Sequence, residues 1–470
     1  MPDARPDLVF VMADDHAAHA ISAYGSKITR TPQIDRLAAE GMRFDAAFCT
    51  NSLCAPSRAA ILTGTYNHVN GVTTLDTPID ARQPGFPALL RDAGYRTVLV
   101  GKWHLGHGGV HDPHGFDSWC VLPDQGDYDD PEMIDNSLRR RFPGYATDVI
   151  TDLALAELRR DRDRPLCLLV HDKAPHRPWT PDPAHAHLFG SGVPVPETYD
   201  DDYTHRAQAA ARARMRVRRD LNREDLKAEP PPGLTADQHA RWAYQRFIAD
   251  YLRCVASLDD SVGRLLDALD ATGRDTVVVY TSDQGFFLGD HGWFDKRFMY
   301  EESLRMPLLV RWPREVAAGS VSDALVVNVD FAQTLLDLAG VPPHPRMQGH
   351  SLRPLLRGER PADWRRSVYY RYWQHLDAQH RVAAHYGVRT ARHKLVCYYG
   401  AGIGQPGASA EVTPVEWELF DLDRDPAELH SVYDDPAYAT VRAELTAELA
   451  RVQAEVGDTP YPGASGPWAG

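Results

Sequence analysis

The sequence predicts a three-layer α/β/α sandwich with a mainly parallel central sheet, followed by a smaller C-terminal α+β domain with an antiparallel sheet. The first observation is a set of short apolar runs, rich in β-branched residues, that are typical of buried strands: Leu8–Met12, Thr97–Val100, Leu166–Val170 and Thr276–Tyr280. The second is a set of helical stretches between them: Gln33–Ala39, Pro87–Asp92, Thr147–Arg159 and the long Arg241–Leu269. Strands that alternate with helices in this way favour a mainly parallel sheet.

The third observation is a change in composition after about Ala362. This part contains runs that indicate antiparallel strands and a closing helix: Val368–Trp373, Tyr386–Thr390, His393–Tyr399, Glu416–Asp421 and Tyr438–Val456. We place the boundary near Gly358–Pro361. A large α/β domain then spans residues 1–360, and the smaller α+β domain spans residues 361–470.

A polar stretch, residues 193–232, interrupts the α/β pattern. It contains the basic run Arg212–Arg219 and then Pro230–Gly233. We favour the interpretation that this stretch is a surface arm with a solvated helix. The alternative is a flap that contributes to the rim of a pocket.

Composition and charge limit the class of protein. A chain of 470 residues, with 43% hydrophobic and 25% charged residues, is typical of a soluble globular protein with a large core. A formal net charge of −14 argues against general nucleic-acid binding, which needs a basic face. The 6 cysteines are scattered without a C-x-x-C pair, so they indicate neither a disulfide framework nor a zinc site.

The N-terminus runs directly into the first apolar strand and shows no apolar region of the kind found in secretory signals. We also find no apolar stretch long enough to span a bilayer, so we expect no membrane partner. The chain as written is therefore expected to be cytoplasmic. A trimmed secreted chain would look the same.

Charged and titratable side chains follow each of the four strands predicted for the large sheet. The segments are Asp14–His16, Gly101–His104, His171–His176 and Ser282–Gly285. In open α/β sheets, ligands bind beyond the carboxyl ends of the strands. One polar strand end is unremarkable, but four that carry carboxylates, lysines and histidines indicate one convergent site.

Three carboxylates and one amide at these strand ends form an oxygen-only set: Asp14, Asp15, Asp283 and Gln284. Oxygen ligands suit calcium or magnesium, whereas zinc and copper favour imidazole or thiolate. Converging carboxylates repel one another, and a divalent cation neutralises them. Each aspartate alone is better explained as a helix N-cap or a turn residue, but together they favour a metal site.

Two lysines and two histidines provide further candidates. Lys102 and Lys296 can supply positive charge for a tetrahedral oxyanion, and both lie beside apolar or aromatic segments rather than in plainly polar ones. His104 and His176 are candidates for acid–base work, because imidazole titrates near neutrality. A structural hydrogen-bonding role is the default for any single histidine.

The segment Cys54–Arg58 is the most informative in the chain. Its proline suits the first position of a helix and Gly64 suits the end, so Pro56–Thr63 is predicted to be a short helix. Cys54 then lies at the helix N-terminus, where free N–H groups favour an anion. Arg58 lies one turn further on the same face. For a lone cysteine, a buried thiol before an ordinary helix would be the better explanation.

Together these segments resemble the type I, formylglycine-dependent sulfatases of the alkaline phosphatase superfamily. In that family a Cys-x-Pro-x-Arg motif directs oxidation of its own cysteine, which implies formylglycine at Cys54 and a formylglycine-generating enzyme as a maturation partner. The resemblance also implies one ion, usually calcium and otherwise magnesium, bound by Asp14, Asp15, Asp283, Gln284 and the modified Cys54. Many members carry asparagine or histidine where this chain has Gln284, and glutamine keeps the carbonyl oxygen.

The resemblance further implies a reaction. One hydroxyl of the hydrated aldehyde, activated by the metal, attacks sulfur in line and displaces the alcohol. Lys102 and Lys296 bind the sulfate oxygens, and Arg58 orients the hydrated aldehyde. His176 protonates the leaving oxygen, and His104 helps to expel sulfate.

Three segments are similar to the mucin-desulfating and N-acetylglucosamine-6-sulfatase branch: Lys173–Trp179, Asp283–Ser303 and Trp417–Leu422. We therefore expect a small sulfated sugar as substrate, with N-acetylglucosamine-6-sulfate as one candidate. Candidate substrate contacts are Arg177, His291, His375 and His385. For the last two, a structural role is an equally good explanation.

Two other functions stay open at this point. A phosphoester or phosphonate monoester hydrolase on the same scaffold is the alternative among enzymes, because sulfate and phosphate are both tetrahedral oxyanions. A non-catalytic protein that binds sulfated glycans is the alternative if Cys54 is never oxidised. The sequence does not indicate an oligomeric state.

Overall fold

The computed structural model describes residues 5–464. The strands in this range are β1 Asp7–Ala13, β2 Met42–Phe44, β3 Ala47–Phe48, β4 Arg96–Lys102, β5 Ser118–Leu122, β6 Glu132–Asp135, β7 Leu138–Arg141, β8 Leu166–His171, β9 Thr276–Ser282, β10 Phe287–Leu288, β11 Phe294–Asp295, β12 Leu308–Arg311, β13 Ser320–Ser322, β14 Val326–Val327, β15 Ser367–Tyr372, β16 His385–Thr390, β17 His393–Tyr398 and β18 Glu416–Asp421. The α-helices are α1 Pro32–Glu40, α2 Cys54–Thr63, α3 Asn67–Asn70, α4 Phe86–Asp92, α5 Ala146–Leu158, α6 Gln208–Arg212, α7 Val217–Asp220, α8 Arg223–Leu226, α9 Ala236–Thr272, α10 Glu301–Leu304, α11 Asp330–Leu338, α12 Arg353–Leu356 and α13 Ala439–Val456.

The main sheet has 10 strands in the order β13-β2-β12-β9-β1-β8-β4-β5-β6-β7. The inner strands β9, β1, β8, β4 and β5 run parallel, and antiparallel neighbours extend the sheet on both sides. The four strands predicted for this sheet all lie in its parallel part, so the predicted mainly parallel centre is confirmed. The other strands of this sheet were missed, because strands of three to five residues carry too little periodicity to be distinguished from loops.

Alternate residues of β1 face two separate hydrophobic cores, as the pleat of a strand requires. Leu8 and Phe10 pack in the core that contains residues of α2, α4 and α11. Val9 and Val11 pack in the core that contains residues of α1, α5 and α9. Helices therefore cover both faces of the sheet, which confirms the predicted α/β/α layers.

The C-terminal part is a four-stranded antiparallel sheet in the order β15-β16-β17-β18, with α13 packed against it, as predicted. Its buried residues Tyr370, Val388 and Leu395 belong to the same hydrophobic core as Phe10 of the large sheet. The two parts thus share one core. A domain boundary near residue 360 stays a prediction, and residues 1–4 and 465–470 of the two predicted ranges lie outside the described residues.

Two helix starts differ from prediction by two residues or more, for local reasons. Helix α2 begins at Cys54 rather than Pro56, and proline is tolerated there because the first N–H groups of a helix have no partner inside the helix. Helix α9 begins five residues before the predicted Arg241, because Thr235 and Gln238 form a capping box. Every helix within residues 5–464 is too short or too polar to traverse a lipid bilayer.

Candidate active site

The four strand ends predicted to converge lie side by side in the sheet. Ala13 at the end of β1 pairs with Ser282 of β9, and Met12 pairs with His171 of β8. Gly101 of β4 pairs with His171 from the other side. The segments that follow these strands are therefore neighbours, as the sequence predicted.

A glycine is required just before Lys102, where β4 and β8 approach closely. Gly101 has φ +99°, and a Cβ atom at this position would lie 1.9 Å from the carbonyl oxygen of His171. A larger residue would strain the backbone and push the two strands apart. It would also move Lys102, whose side chain is buried. The glycine thus helps to set the position of the lysine.

Cys54, the first residue of α2, lies inside this group of strand ends. Its Sγ is 3.4 Å from Oδ1 of Asp14 and 3.8 Å from Nε2 of Gln284. Burial, together with the carboxylate of Asp14, raises the pKa of the Cys54 thiol far above its ordinary value. The unmodified thiol is therefore protonated at neutral pH, and a protonated thiol is a poor nucleophile.

Three buried carboxylates meet beside this cysteine. Oxygens of Asp14, Asp15 and Asp283 lie within 4.8 Å of one another. Burial raises the pKa of Asp15 to about 6 and the pKa of Asp283 to about 7. The pKa of Asp14 stays well below its usual range, because Lys102 and other nearby cations outweigh the effect of burial. Such crowding is costly unless positive charge compensates it.

The chemistry of these donors fits a divalent cation. All three carboxylates offer hard oxygen ligands, which suit calcium and magnesium. Oε1 of Gln284 is buried and has no hydrogen-bond partner among residues 5–464. An unpaired buried carbonyl oxygen is unusual, and coordination of an ion would satisfy it. The predicted metal ligands therefore lie together, with an unused acceptor among them.

The two predicted lysines pair with two of these carboxylates. Lys102 contacts Asp14 directly, and Nζ of Lys296 lies 2.6 Å from both carboxylate oxygens of Asp15. Both lysine side chains are buried. Asp15, together with other nearby acidic groups, raises the pKa of Lys296 above its ordinary value despite burial. Lys296 thus keeps its positive charge in the interior of the site, and Lys102 lies beside Asp14 there.

Arg58 connects the helix of the cysteine to two strand ends. Its Nη2 lies 3.0 Å from Oδ2 of Asp283, and its Nη1 donates to the carbonyl oxygen of Lys102 at 3.0 Å. The preceding Ser57 donates to the carbonyl oxygen of Asp283 and accepts from Asn328 at 2.9 Å. Three carboxylates thus face three cations, so a divalent cation would leave the site positive and attractive to an anion.

The backbone of Asp15 is held in a conformation that the sequence does not reveal. Its φ is +71°, in the left-handed region that non-glycine residues rarely adopt. Its N–H donates to Oδ1 of Asp283 at 3.1 Å, and its carbonyl oxygen accepts from the hydroxyl of Tyr251 at 2.8 Å. These contacts offset a strain of about 1–3 kcal/mol and fix the direction of the carboxylate.

The two predicted acid–base histidines are also present at the site. Nδ1 of His176 lies 2.7 Å from the carbonyl oxygen of Arg177, so Nδ1 carries hydrogen and donates. Nε2 of His104 lies 3.1 Å from Nε2 of Gln125. Burial, and then Lys102, lowers the pKa of both histidines well below their ordinary value. Both imidazoles therefore favour the neutral form.

A cavity of about 850 Å³ opens beside His176. Lys173, Arg177 and Gln125 line it near the strand ends, and Gln379 and His380 line it from the C-terminal part. Further lining residues come from the polar arm: Arg214, Asp220, Asn222, Glu224 and Asp225. The cavity wall is therefore assembled from three distant parts of the chain.

The sequence favoured a surface arm with a solvated helix for residues 193–232. That interpretation is wrong for the arm residues that line the cavity. Asn222 and Asp225 form a capping box that fixes the start of helix α8. Asp225 accepts from Nε of Arg177 at 3.0 Å and from its Nη2. This ion pair joins the arm to the segment that carries His176. The alternative, a flap on the rim of the pocket, describes these residues better.

Of the four predicted substrate contacts, the structure brings only Arg177 to the cavity. His291 is buried and pairs with Asp201 at 3.0 Å. His375 accepts through Nδ1 from the N–H of Ala384 at 3.0 Å, and His385 stacks against tyrosine rings. These three histidines are absent from the cavity lining and occupy the interior, where each has packing or hydrogen-bond partners.

Sequence reasoning missed two residues at the site, Gln125 and Lys173. Gln125 lies in the loop after β5, a strand of 5 residues that was not predicted. The run Val121–Leu122 followed by proline was the available signal for a strand end. Lys173 lies in the segment before His176, and the sequence alone indicates no role for it. It is buried, and its Nζ donates to the carbonyl oxygen of Gln125 at 3.0 Å.

Comparison with known families identifies the class of protein that this fold and site define. A family model described as "Sulfatase" matches residues 6–341, and one described as "N-sulphoglucosamine sulphohydrolase, C-terminal" matches residues 289–455. The chain belongs to the sulfatase family and is an enzyme of the sulfatase type. The resemblance deduced from the motifs is confirmed, and the family generally uses formylglycine and a divalent metal.

Individual relatives are similar over most of the chain. An N-acetylglucosamine-6-O-sulfatase of Bacteroides thetaiotaomicron is 40% identical over 97% of this chain and 87% of its own length. The N-acetylglucosamine-6-sulfatase of Homo sapiens is 29% identical over 78% of this chain and 67% of its own. A solved structure described as a complex with its substrate D-glucosamine-2-N,6-O-disulfate has a TM-score of 0.90 at 40% identity, covering 98% of this chain and 100% of that one.

The same fold also serves a different chemistry. A phosphonate monoester hydrolase from Silicibacter pomeroyi has a TM-score of 0.75 at 22% identity, covering 96% of this chain and 95% of its own. Similarity at this level indicates the fold alone. Neither the phosphonate alternative nor the non-catalytic alternative is favoured over a sulfatase.

Proposed function

We propose that this protein is a sulfatase that uses formylglycine and calcium to remove the 6-O-sulfate from N-acetylglucosamine or a closely related glucosamine. The observation that carries the proposal is the position of Cys54, 3.4 Å from Asp14 at the meeting point of the four strand ends. The names of the relatives at 40% and 29% identity add the sugar and the sulfate position.

The ion would be held by Asp14, Asp15, Asp283 and Gln284, with residue 54 beside them. Calcium is preferred over zinc because every side-chain donor other than residue 54 is oxygen, and over magnesium because calcium accepts more ligands in looser geometry. A bound divalent cation supplies Lewis acidity, which polarises sulfate oxygens and lowers the pKa of a hydroxyl. The remaining chemistry belongs to side chains of the chain itself.

Oxidation of Cys54 would remove a side chain that is inert in this environment. The raised pKa keeps the thiol protonated, whereas the hydrated aldehyde of formylglycine supplies an oxygen nucleophile with a second hydroxyl. Arg58 is placed to orient residue 54, since it lies one turn along the same helix. Its guanidinium is fixed by Asp283 and by the carbonyl oxygen of Lys102.

Lys102 and Lys296 would bind the sulfate oxygens. Both are buried, so their charge acts in a site with little water, where electrostatic stabilisation is large. Each is already held by a carboxylate, Asp14 or Asp15, so little reorganisation is needed when an anion arrives.

His176 would protonate the leaving oxygen of the sugar. Since its Nδ1–H is committed to the carbonyl oxygen of Arg177, Nε2 is the nitrogen that can exchange a proton with substrate. Burial, and then Lys102, lowers the pKa of His176, and the negative charge of an incoming sulfate opposes the effect of Lys102. His104 would act later, when sulfate is expelled, as the family resemblance implies.

The cavity suits a sugar rather than a strongly anionic polymer. Its volume of about 850 Å³ is in the usual range for small-molecule sites. Its wall mixes acidic residues such as Glu224 and Asp225 with basic residues such as Arg177 and Arg214. Mixed polar groups of this kind recognise hydroxyl and amide groups by hydrogen bonds.

The test is a panel of sulfated monosaccharides with the matured enzyme. We expect N-acetylglucosamine-6-sulfate to give the highest kcat/KM, above its 3-sulfate isomer and galactose-6-sulfate, with Cys54→Ala as the inactive control. Nitrophenyl sulfate and nitrophenyl phosphate separate the two chemistries on one leaving group. Faster hydrolysis of the phosphate would support the phosphoester alternative. Sugar binding without any turnover by aldehyde-containing protein would support the non-catalytic one.

A further inference from the structure

Gln125, in the loop after β5, connects three functional groups of the site. Its Oε1 accepts from Nζ of Lys102 at 2.5 Å, and its Nε2 lies 3.1 Å from Nε2 of His104. Its carbonyl oxygen accepts from Nζ of Lys173 at 3.0 Å. The side chain is half-buried and lines the cavity beside His176.

The orientation of this amide follows from proton counting. A lysine ammonium can only donate, so the carbonyl end of Gln125 must face Lys102. The NH₂ end then faces His104, and an amide NH₂ can also only donate. Nε2 of His104 is therefore the acceptor and carries no hydrogen. A neutral imidazole with a bare Nε2 has its hydrogen on Nδ1.

The environment of Nδ1, the other ring nitrogen of His104, agrees with hydrogen on that atom. Nδ1 is buried and has no hydrogen-bond partner within the described part of the chain. Its N–H is thus a buried donor without a partner among the described residues. The lone pair of Nε2 is occupied by the hydrogen bond from the amide of Gln125.

The surrounding backbone holds Gln125 in this position. Gly126, the next residue, has φ +65°, and a Cβ atom there would lie 2.9 Å from side-chain atoms of Leu122. His104 itself has φ +55°, so its ring is also presented from a constrained backbone. The bond from Lys173 to the carbonyl oxygen of Gln125 adds a third restraint.

We propose that Gln125 is a positioning residue that fixes His104 as the neutral tautomer with hydrogen on Nδ1. The proposal rests on the proposed function, because it assigns a supporting residue to the same reaction. When Nε2 takes a proton, its hydrogen bond from the amide is lost, so Gln125 also disfavours the imidazolium.

The decisive substitution is Gln125→Glu, which keeps the shape and the acceptor for Lys102 but removes the donor to His104. A carboxylate beside Nε2 favours hydrogen on that nitrogen. The measurement is a long-range ¹H–¹⁵N spectrum of the full-length protein labelled with ¹⁵N-histidine, in which His104→Asn identifies the His104 signals. Gln379→Glu is the matched control. It adds the same charge to the same cavity, but Gln379 makes no hydrogen bond to His104 within residues 5–464.

In the unsubstituted protein we expect Nδ1 of His104 to be protonated and Nε2 to be bare. Gln125→Glu should place hydrogen on Nε2, and Gln379→Glu should change neither nitrogen. In matured enzyme, Gln125→Glu should lower kcat by about tenfold to a hundredfold, the range known for residues that orient metal-ligating side chains through hydrogen bonds. Gln125→Met, which removes both polar contacts, should lower kcat at least as much.

Hydrogen on Nε2 in the unsubstituted protein would overturn the proposal. So would a spectrum of Gln125→Glu in which His104 is unchanged, since another group would then set the tautomer. The spectra do not require turnover, so they remain interpretable if the protein hydrolyses no sugar sulfate. A failed substrate panel with the expected spectra would therefore refute the proposed function and leave the role of Gln125 towards His104 standing.

Discussion

The floor of the site and the wall of the cavity are built in opposite ways. At the floor, buried side chains from adjacent strand ends are held by ion pairs such as Lys296 with Asp15. In the wall, exposed residues such as Arg214 and Glu224 come from the arm, and Gln379 comes from the C-terminal part. The floor therefore presents a rigid arrangement of charge suited to any sulfate ester. The wall presents side chains that can be exchanged without disturbing that arrangement.

This difference predicts how substitutions should behave. A change at the floor should affect every sulfate ester by a similar factor, because all share the sulfate group. A change in the wall should separate substrates by their alcohol part, because only the sugar reaches it. Arg177 and Asp225 join the two regions, since Arg177 follows His176 and pairs with the arm.

The largest effect is expected at residue 54. Cys54→Ala should lower kcat/KM by at least about 10⁴-fold on both a sugar sulfate and nitrophenyl sulfate, because loss of a nucleophile has effects of this order or larger in other hydrolases. The circular dichroism spectrum should be unchanged. Cys54→Ser should be nearly as inactive, since serine lacks the second hydroxyl.

Cys397→Ala is the matched control for that change. It also removes a buried thiol, but from β17 in the C-terminal sheet, outside the group of strand ends. We expect its turnover to stay near that of the unsubstituted enzyme. Sustained turnover by Cys54→Ala would contradict the assignment of the nucleophile.

The second largest effect is expected from removal of the metal, which can be followed by Tm as well as by activity. An ion that binds only the folded state stabilises it by about 2.7 kcal/mol at a hundredfold excess over Kd. Chelation should therefore lower Tm and abolish turnover, and added calcium should restore both. Asp283→Asn should weaken the calcium-dependent rise in Tm. Full activity after exhaustive chelation, with an unchanged Tm, would contradict the metal site.

His176→Ala should sharpen the comparison, because His176 lines the cavity and, in the proposed reaction, acts on the leaving group rather than on the sulfate group that all substrates share. A sugar alcohol needs a proton to leave, whereas nitrophenolate does not. Kcat/KM should therefore fall by about a hundredfold or more on the sugar sulfate, as is typical of general-acid catalysis, and much less on nitrophenyl sulfate. Equal losses on both substrates would leave His176 as a sulfate-binding residue only.

The smallest effect is expected in the wall. Arg177→Ala should lower kcat/KM for the sugar sulfate by about tenfold, the loss expected from one hydrogen bond to a charged group. Nitrophenyl sulfate should be affected much less. Arg212→Ala is the control, because Arg212 is an exposed arginine of the same arm that is absent from the cavity lining. Equal losses on both substrates in Arg177→Ala would break the division between floor and wall.

The floor could be predicted from the sequence because its information is local. Each strand is an apolar run, and the charged or polar residues of the site follow it directly in the sequence. Asp14 follows β1 in this way, and Asp283 follows β9. The parallel topology then brings these segments together. The position of Cys54 was predictable for a similar reason, because the motif itself begins the helix.

The wall could not be predicted, because it depends on contacts between distant segments. Nothing near Asp225 in the sequence indicates a pairing with Arg177, 48 residues earlier. Gln125 follows β5, which was not predicted, and no motif distinguishes it from the other polar residues of its loop. Conversely, His291 lies in a motif segment, but it is buried against Asp201 and is absent from the cavity lining.

The most direct test of the central claim relates the chemical state of Cys54 to turnover. Samples with different fractions of aldehyde are made by varying co-expression of a formylglycine-generating enzyme. Intact mass measures the fraction, since conversion removes about eighteen mass units from the chain. We predict that hydrolysis of N-acetylglucosamine-6-sulfate rises in proportion to the aldehyde fraction and extrapolates to zero without it. Full activity in protein whose Cys54 is entirely unmodified would contradict the account.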